Sequence, residues 1–352
     1  MQLIDINVGA LRSPSAFYFS TRKGLEEFND GWRNGLQPSV CWDVRQISVG
    51  KINVGAVAFF LAVAHRVRAF TGRKQKILIE WHPKQFSLLS DIGFFDLADE
   101  HDLFDWPFDI GGFEAGKINP NTKILSFEKL YDSPDYSDDE AISEWKQVHR
   151  ERYRSKIVNK CESLFFASNS SSNRNLPLVM SRTCAELVTN SLLWGDSTSF
   201  VSLQRTRTKI FINVCDIGRG FKFSLNQKQA FNGLDLPEDL NNDLAAIGLG
   251  CVINENDFGL KRAISTVLEL NGDITISSCN GEIHWATPIW SNFLSDISNY
   301  DIRNALMNLS KQVIPYNTQN KSEYNDNGFV RNLPSSIRGT RISFHIPVDE
   351  EL

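Results

Sequence analysis

The chain has 352 residues, 41% of them hydrophobic and 22% charged, with a formal net charge of −5. That length suffices for two domains and a sizeable core, and the mild acidity excludes a generic nucleic-acid or membrane-surface binder. Six scattered cysteines form no CxxC pair and six dispersed histidines form no HExxH, so neither a disulfide framework nor a zinc motif is indicated.

The N-terminal MQLIDINVGALRS lacks the charged-then-apolar layout of a signal peptide. The longest uncharged apolar run, Val54 to Ala64, covers about eleven residues, too short for a bilayer. A cytoplasmic, bacterial-type protein with reduced cysteines and no membrane association is the expectation. SVCWDVRQISV (39–49) predicts a strand, NVGAVAFFLAVAHRVRAF (53–70) an apolar helix and KQKILIEWH (74–82) a buried strand. PKQFSLLSDIGFFDLA (83–98) predicts a second helix opened by Pro83. Strand, helix, strand, helix indicates an α/β layer structure in residues 1–110. The turn-rich, acidic stretch 111–140 predicts a linker or a long excursion.

Residues 141–352 predict a second domain. Helices are expected over 140–167 and from PLVMSRTCAELVTNSLLWG, then strands FVSLQR (200–205) and KIFINVCDIG (209–218). A loop-rich stretch follows at 226–257, then the helix FGLKRAISTVLELNG with Asn271-Gly272 at its end. DITISSCNGEIHWAT predicts a hairpin turning at Asn280-Gly281. A polar insertion at about 289–335 holds one predicted helix, and TRISFHIPV (340–348) is a final alternating strand.

Three features of this half carry chemistry. Glu186 and Asn190 lie one helical turn apart on one face. A carboxylate there can orient and deprotonate a water, and a carboxamide oxygen is a hard, neutral ligand suited to Mg²⁺. In DIGRGF, Asp216 ends a strand and can accept the amino donor of adenine, while Gly218 and Gly220 permit close backbone approach. Gly259 and Leu260 open a helix, whose first amides favour phosphate.

In this order and spacing, ELVTNSLLWGD, DIGRGF, GLKRAISTVLELNGDITISS and RGTRISFHIPV resemble the boxes of the GHKL (Bergerat-fold) ATP-binding superfamily over residues 175–348. The resemblance implies an α/β sandwich, a mixed sheet with helices on one face, binding ATP with Mg²⁺. Asn190 would hold the metal and Glu186 would activate the attacking group. Asp216, Gly218, Gly220, Gly339 and Thr340 would surround the adenine. Gly259 and Leu260 would offer amides to phosphate, and residues 222–257 would form a lid. The second box, ENDFGLKRA, has one glycine where the family often has two or three.

ELVTNSLLWGD looks closer to the anti-sigma-factor serine kinases than to sensor histidine kinases, and the front half loosely resembles a STAS domain. The position of the STAS phosphoacceptor reads KINVG without a hydroxyl, and Ser48 lies a few residues earlier. His149, as a histidine-kinase phosphoacceptor, is followed by Arg150 rather than an acidic residue. Arg150, Arg152, Arg154 and Lys156 read as a stripe that is solvated or paired with Glu144 and Glu151, and Lys261 and Arg262 as a solvated helix face. The resemblance implies a nucleotide-gated ATPase that controls a protein partner, with a homodimer as one option and nucleic acid not the main partner. A serine/threonine protein kinase and a non-catalytic ATP-binding module are the alternatives.

Overall fold

The computed structural model describes residues 2–9, 11–47, 52–80, 82–109, 121–129, 139–168, 176–227, 234, 242–252, 259–314 and 327–348. It is an α/β structure with one parallel and one mixed sheet. Two units divide the chain, Met1–Ser126 with Phe200–Gln204, and Phe127–Ser199 with Arg205–Leu352. Ser48 and most of the predicted linker lie outside the described residues.

The first unit begins with β1 (Leu3–Asn7), α1 (Pro14–Arg33), β2 (Ser39–Asp43), α2 (Val54–Thr71) and β3 (Gln75–Leu78). It continues with α3 (Pro83–Asp91), α4 (Phe94–Glu100), β4 (Phe104–Asp105) and β5 (Thr122–Phe127). Strands β1 to β4 form a parallel sheet in sequential order. Parallel neighbours require a crossover, and the intervening helices supply it. Ser13 starts α1, its Oγ accepting the Ala16 amide at 3.1 Å with Pro14 in the first turn. Asn53 caps α2 the same way, and left-handed Gly72 ends it.

α2 is buried at every position from Val54 to Ala64. The predicted apolar run is thus part of an 18-residue helix that is long and apolar enough to cross a membrane, of which 67% is buried inside the protein. Fully buried Trp42 donates its indole N–H to Gln75 Oε1 at 2.6 Å, and Gln75 Nε2 donates to the Ala64 carbonyl at 2.8 Å. One carboxamide therefore joins β2, β3 and α2. Three expectations need correction here. The predicted strand 39–49 ends at Asp43, and the predicted helix 83–98 is two helices broken at Gly93, where φ is 82°. β5 occupies part of the stretch expected to be a linker or excursion.

α5 (Asp139–Ser168), α6 (Leu176–Leu193), β6 (Ser199–Arg205) and β7 (Lys209–Asp216) follow the predicted order. Residues Phe200–Gln204 of β6 belong to the first unit, where β6 neighbours β5. The second unit continues with α7 (Gly220–Gln227), α8 (Asn242–Gly250), α9 (Leu260–Glu269) and β8 (Asp273–Trp285). It ends with α10 (Thr287–Asn299), α11 (Ile302–Ser310), β9 (Val313–Ile314) and β10 (Phe329–Pro347).

The predicted lid is in part core. Leu244, Ala245, Ala246 and Ile247 of α8 are fully buried, and α8 packs on Leu225 of α7. Most of the remaining lid lies outside the described residues. Among its described residues the predicted insertion holds two helices rather than one, and the Trp285 ring meets Trp290 at 5.1 Å and Phe293 at 5.2 Å. That aromatic contact makes α10 part of the unit's core.

β8 doubles back on itself. Thr275 Oγ1 lies 2.8 Å from His284 Nδ1, and Ser277 Oγ donates to Glu282 Oε2 at 2.7 Å. A straight strand advances about 3.3 Å per residue and would hold both pairs far apart. The reversal falls at Cys279, φ 49°, one residue before the predicted turn. β10 follows both arms, Thr340–His345 antiparallel to Asp273–Ser278 and Phe329–Asn332 antiparallel to Gly281–His284. β7 pairs antiparallel with Thr340–Pro347, and β9 runs parallel to Val330-Arg331.

These strands share one ionic row. Arg331 Nε and an Arg341 guanidinium nitrogen each donate to fully buried Glu282 at 2.6 Å. Burial alone would raise the Glu282 pKa, but the two arginines and Ser277 outweigh it and hold the group below its ordinary value. Glu282→Gln leaves the arginines without their anion and is expected to cost about 3–5 kcal/mol in a denaturant titration. Because the folded pKa is depressed, the pair's stabilisation is present above the reference value of 4.5 and is lost as pH falls below it. The variant should lack that part of the acid loss.

Candidate functional site

An open cleft of about 700 Å³, solvent at its mouth included, lies within the second unit among α6, the end of β7, α7, the start of α9 and β10. Leu187, Trp194, Phe221 and Ile342 supply apolar wall, while Asn190, Ser191, Asp216 and Thr340 supply polar wall. The mixture suits a ligand with both apolar surface and a few polar groups.

Asp216 ends β7 directly opposite Thr340 of β10 and is 2% exposed. Its Oδ1 accepts the Gly218 amide at 2.9 Å and the Thr340 amide at 3.3 Å. Burial pushes the carboxyl up to about 6, against the lowering pull of the Gly218, Ser191 and Thr340 hydrogen bonds. The result is a buried acceptor set in the cleft wall by backbone rather than by a cation.

Two glycines allow that arrangement. A Cβ on Gly218 would stand 2.2 Å from the Gly195 carbonyl oxygen, and one on Gly339 2.1 Å from the Asp216 carbonyl oxygen. Gly339 also holds φ 100°, where a side chain is strained. Their role is close approach of one backbone to another around Asp216. Gly220 opens α7 and lines the cleft. Gly259 precedes α9 and itself offers no side-chain cap, and Leu260, the first residue of that helix, lines the cleft.

Glu186 and Asn190 part company despite their shared helix. Asn190 is half-buried and lines the cleft, and its carboxamide oxygen is the kind of hard, neutral ligand that could hold a divalent cation. Glu186 is 5% exposed and is not part of the cleft wall. Arg150 of α5 donates to its Oε2 at 3.0 Å. Arg154 Nε lies 3.1 Å from Oε1, close enough for an ion pair but without hydrogen-bond alignment. Two members of the basic stripe therefore turn inward, while Arg152 and Lys156 are exposed, as a solvated face would be. Arg154 does meet Glu151, at 3.6 Å, but it and Arg150 converge on Glu186.

Lys261 and Arg262 are exposed on α9. His149 rests its ring on Trp145 at 4.7 Å, and burial lowers its pKa. Trp194, Ser191, Phe221 and Ser224 also line the cleft, although sequence reasoning assigned them no role. Their signal was position alone, beside the polar residues of the boxes. Lys146 Nζ sits 3.8 Å from the Trp194 ring centre, a cation–π contact on a residue of the cleft wall. Comparisons with protein-family models, with characterised proteins and with solved structures find no match.

Asp216 carries a pH signature opposite to that of Glu282. Its folded pKa, about 6, lies above the reference value of 3.8, so ionising it opposes folding. Its contribution is full below the reference value and is lost as pH rises through the folded one, by up to about 3 kcal/mol. Chemical denaturation at pH 4 and pH 7 is expected to show Asp216→Asn gaining stability relative to wild type as pH rises.

Proposed function

We propose that the second unit binds an adenine nucleotide with Mg²⁺ and acts as an ATP-gated regulatory protein of the GHKL type. One observation carries this reading: distant segments deliver Asn190, Asp216, Gly220, Leu260 and Thr340 to a single cleft. Asp216 would accept the adenine amino group, with Thr340 beside it. Asn190 would hold the metal, and the first amides of α9 would meet phosphate. When bound, Mg²⁺ would neutralise phosphate charge. ATP hydrolysis would be slow and would switch the grip on a protein partner or a second copy of the chain. The first unit is proposed as a STAS-like interaction or sensing module, and the protein as cytoplasmic.

A second reading, nucleotide binding without turnover, has an observation in its favour, because Glu186 is engaged by Arg150 and Arg154 rather than presented to the cleft.

Calorimetric titration of ATP separates the metal's role. Removing Mg²⁺ with a chelator is expected to weaken binding to wild type about tenfold or more and to change Asn190→Ala little. Equal metal dependence in both chains would contradict the role given to Asn190, and no binding by wild type would contradict the site.

A further inference from the structure

We propose that Arg150 and Arg154 form a latch that holds Glu186 away from the cleft and thereby sets the turnover of the nucleotide bound there. The inference rests on the reading of the cleft as an ATP site. Arg150 and Arg154 are positioning residues, since they act through Glu186.

Three features favour a latch over a purely structural ion pair. First, the stripe of α5 that carries the arginines also carries Tyr153, Ile157 and Cys161, all buried, and Cys161 touches Cys184 of α6. Apolar contact already serves to join these helices, and a buried ion pair is weak evidence of added stability. Second, the pair is half made. Oε2 of Glu186 has a hydrogen bond from Arg150, whereas Oε1 is buried beside Arg154 without one. An incompletely satisfied buried carboxylate is easier to displace than the fully bonded Glu282. Third, both ends have somewhere to go. Leu187, the next residue, and Asn190, one turn on, line the cleft. Glu151, largely exposed on α5, already lies 3.6 Å from Arg154 and offers it another anion.

A shift of α5 along or away from α6 would therefore free Glu186 within about one helical turn of the bound phosphates. The freed carboxylate takes a proton from water as the water oxygen bonds to the γ-phosphorus. The β–γ bridging P–O bond breaks with its electron pair going to ADP, and inorganic phosphate is released. A partner that engages α5 would control the rate at this step rather than the affinity for ATP.

The test uses the full chain and measures ATP affinity, KM and kcat by phosphate release. Arg150→Ala and Arg154→Ala are expected to raise kcat about tenfold, with Kd and KM within about twofold of wild type. Arg154→Lys should return towards the wild-type rate, and adding Glu186→Gln to Arg150→Ala should abolish the gain. Arg150→Gln, which keeps a hydrogen-bond donor, replaces Arg150→Ala if that chain does not fold, as judged by its melting profile. Variants that bind ATP as wild type does but show unchanged or lower kcat would overturn the latch alone. Failure of every chain to bind ATP would overturn the reading of the cleft, and the latch with it.

Discussion

Asp216 sits at the end of a buried strand, with the amides of Gly218 and Thr340 closing on one carboxylate oxygen. A carboxylate removed from water must be hydrogen-bonded or it shifts its pKa, and this one does both. The requirement propagates outward. β10 must run beside β7 in the register that sets Thr340 opposite Asp216. The turn after β7 must come within reach of the end of α6, which only a glycine at position 218 allows. The cleft is the space left between those elements once their backbones have met around one side chain.

Three buried carboxylates in the second unit show how surroundings divide structure from chemistry. Glu282 has two arginines and a serine, and its row spans both arms of β8 and β10. It is satisfied and holds the sheet. Asp216 is bonded mainly by backbone amides, stands in a cleft wall and keeps acceptor capacity for a ligand. Glu186 lies between these cases, charge-paired on both oxygens but hydrogen-bonded on one. Perturbed or incompletely satisfied groups beside a cleft are where function concentrates.

Much of the helix and strand order was legible because local signals and burial agreed. α2 and α9 have apolar content and end signals that survive without tertiary context, and KIFINVCD alternates into a buried strand. β1 is only five residues long and precedes the first element the pattern could support. α8 was hidden because Asn, Asp and Gly dominate its neighbourhood, while the burial of its Ala, Leu and Ile residues is a tertiary fact. The reversal in β8 was legible to within one residue, since Asn-Gly marks a turn, but Cys279 takes the left-handed position.

In the candidate site, Asn190 and Asp216 stood out as polar residues in apolar segments, and both line the cleft. The partner of Glu186 was illegible. Spacing along α5 pairs its arginines with acids three or four residues away, and only the packing of α5 on α6 reveals the convergence on Glu186. Gly218 was legible as a close-approach position, but sequence does not say whether a ligand or another strand approaches, and Gly339 entered only through the family resemblance.

The central claim is that Asp216 reads the amino group of an adenine ring in this cleft. Equilibrium dialysis of ADP and of inosine diphosphate, which lacks that amino group, against wild type and Asp216→Asn tests it most directly. The account predicts that wild type prefers ADP by about tenfold or more and that the variant loses the preference. Equal affinity of wild type for the two nucleotides, or an ADP preference untouched in the variant, would contradict it.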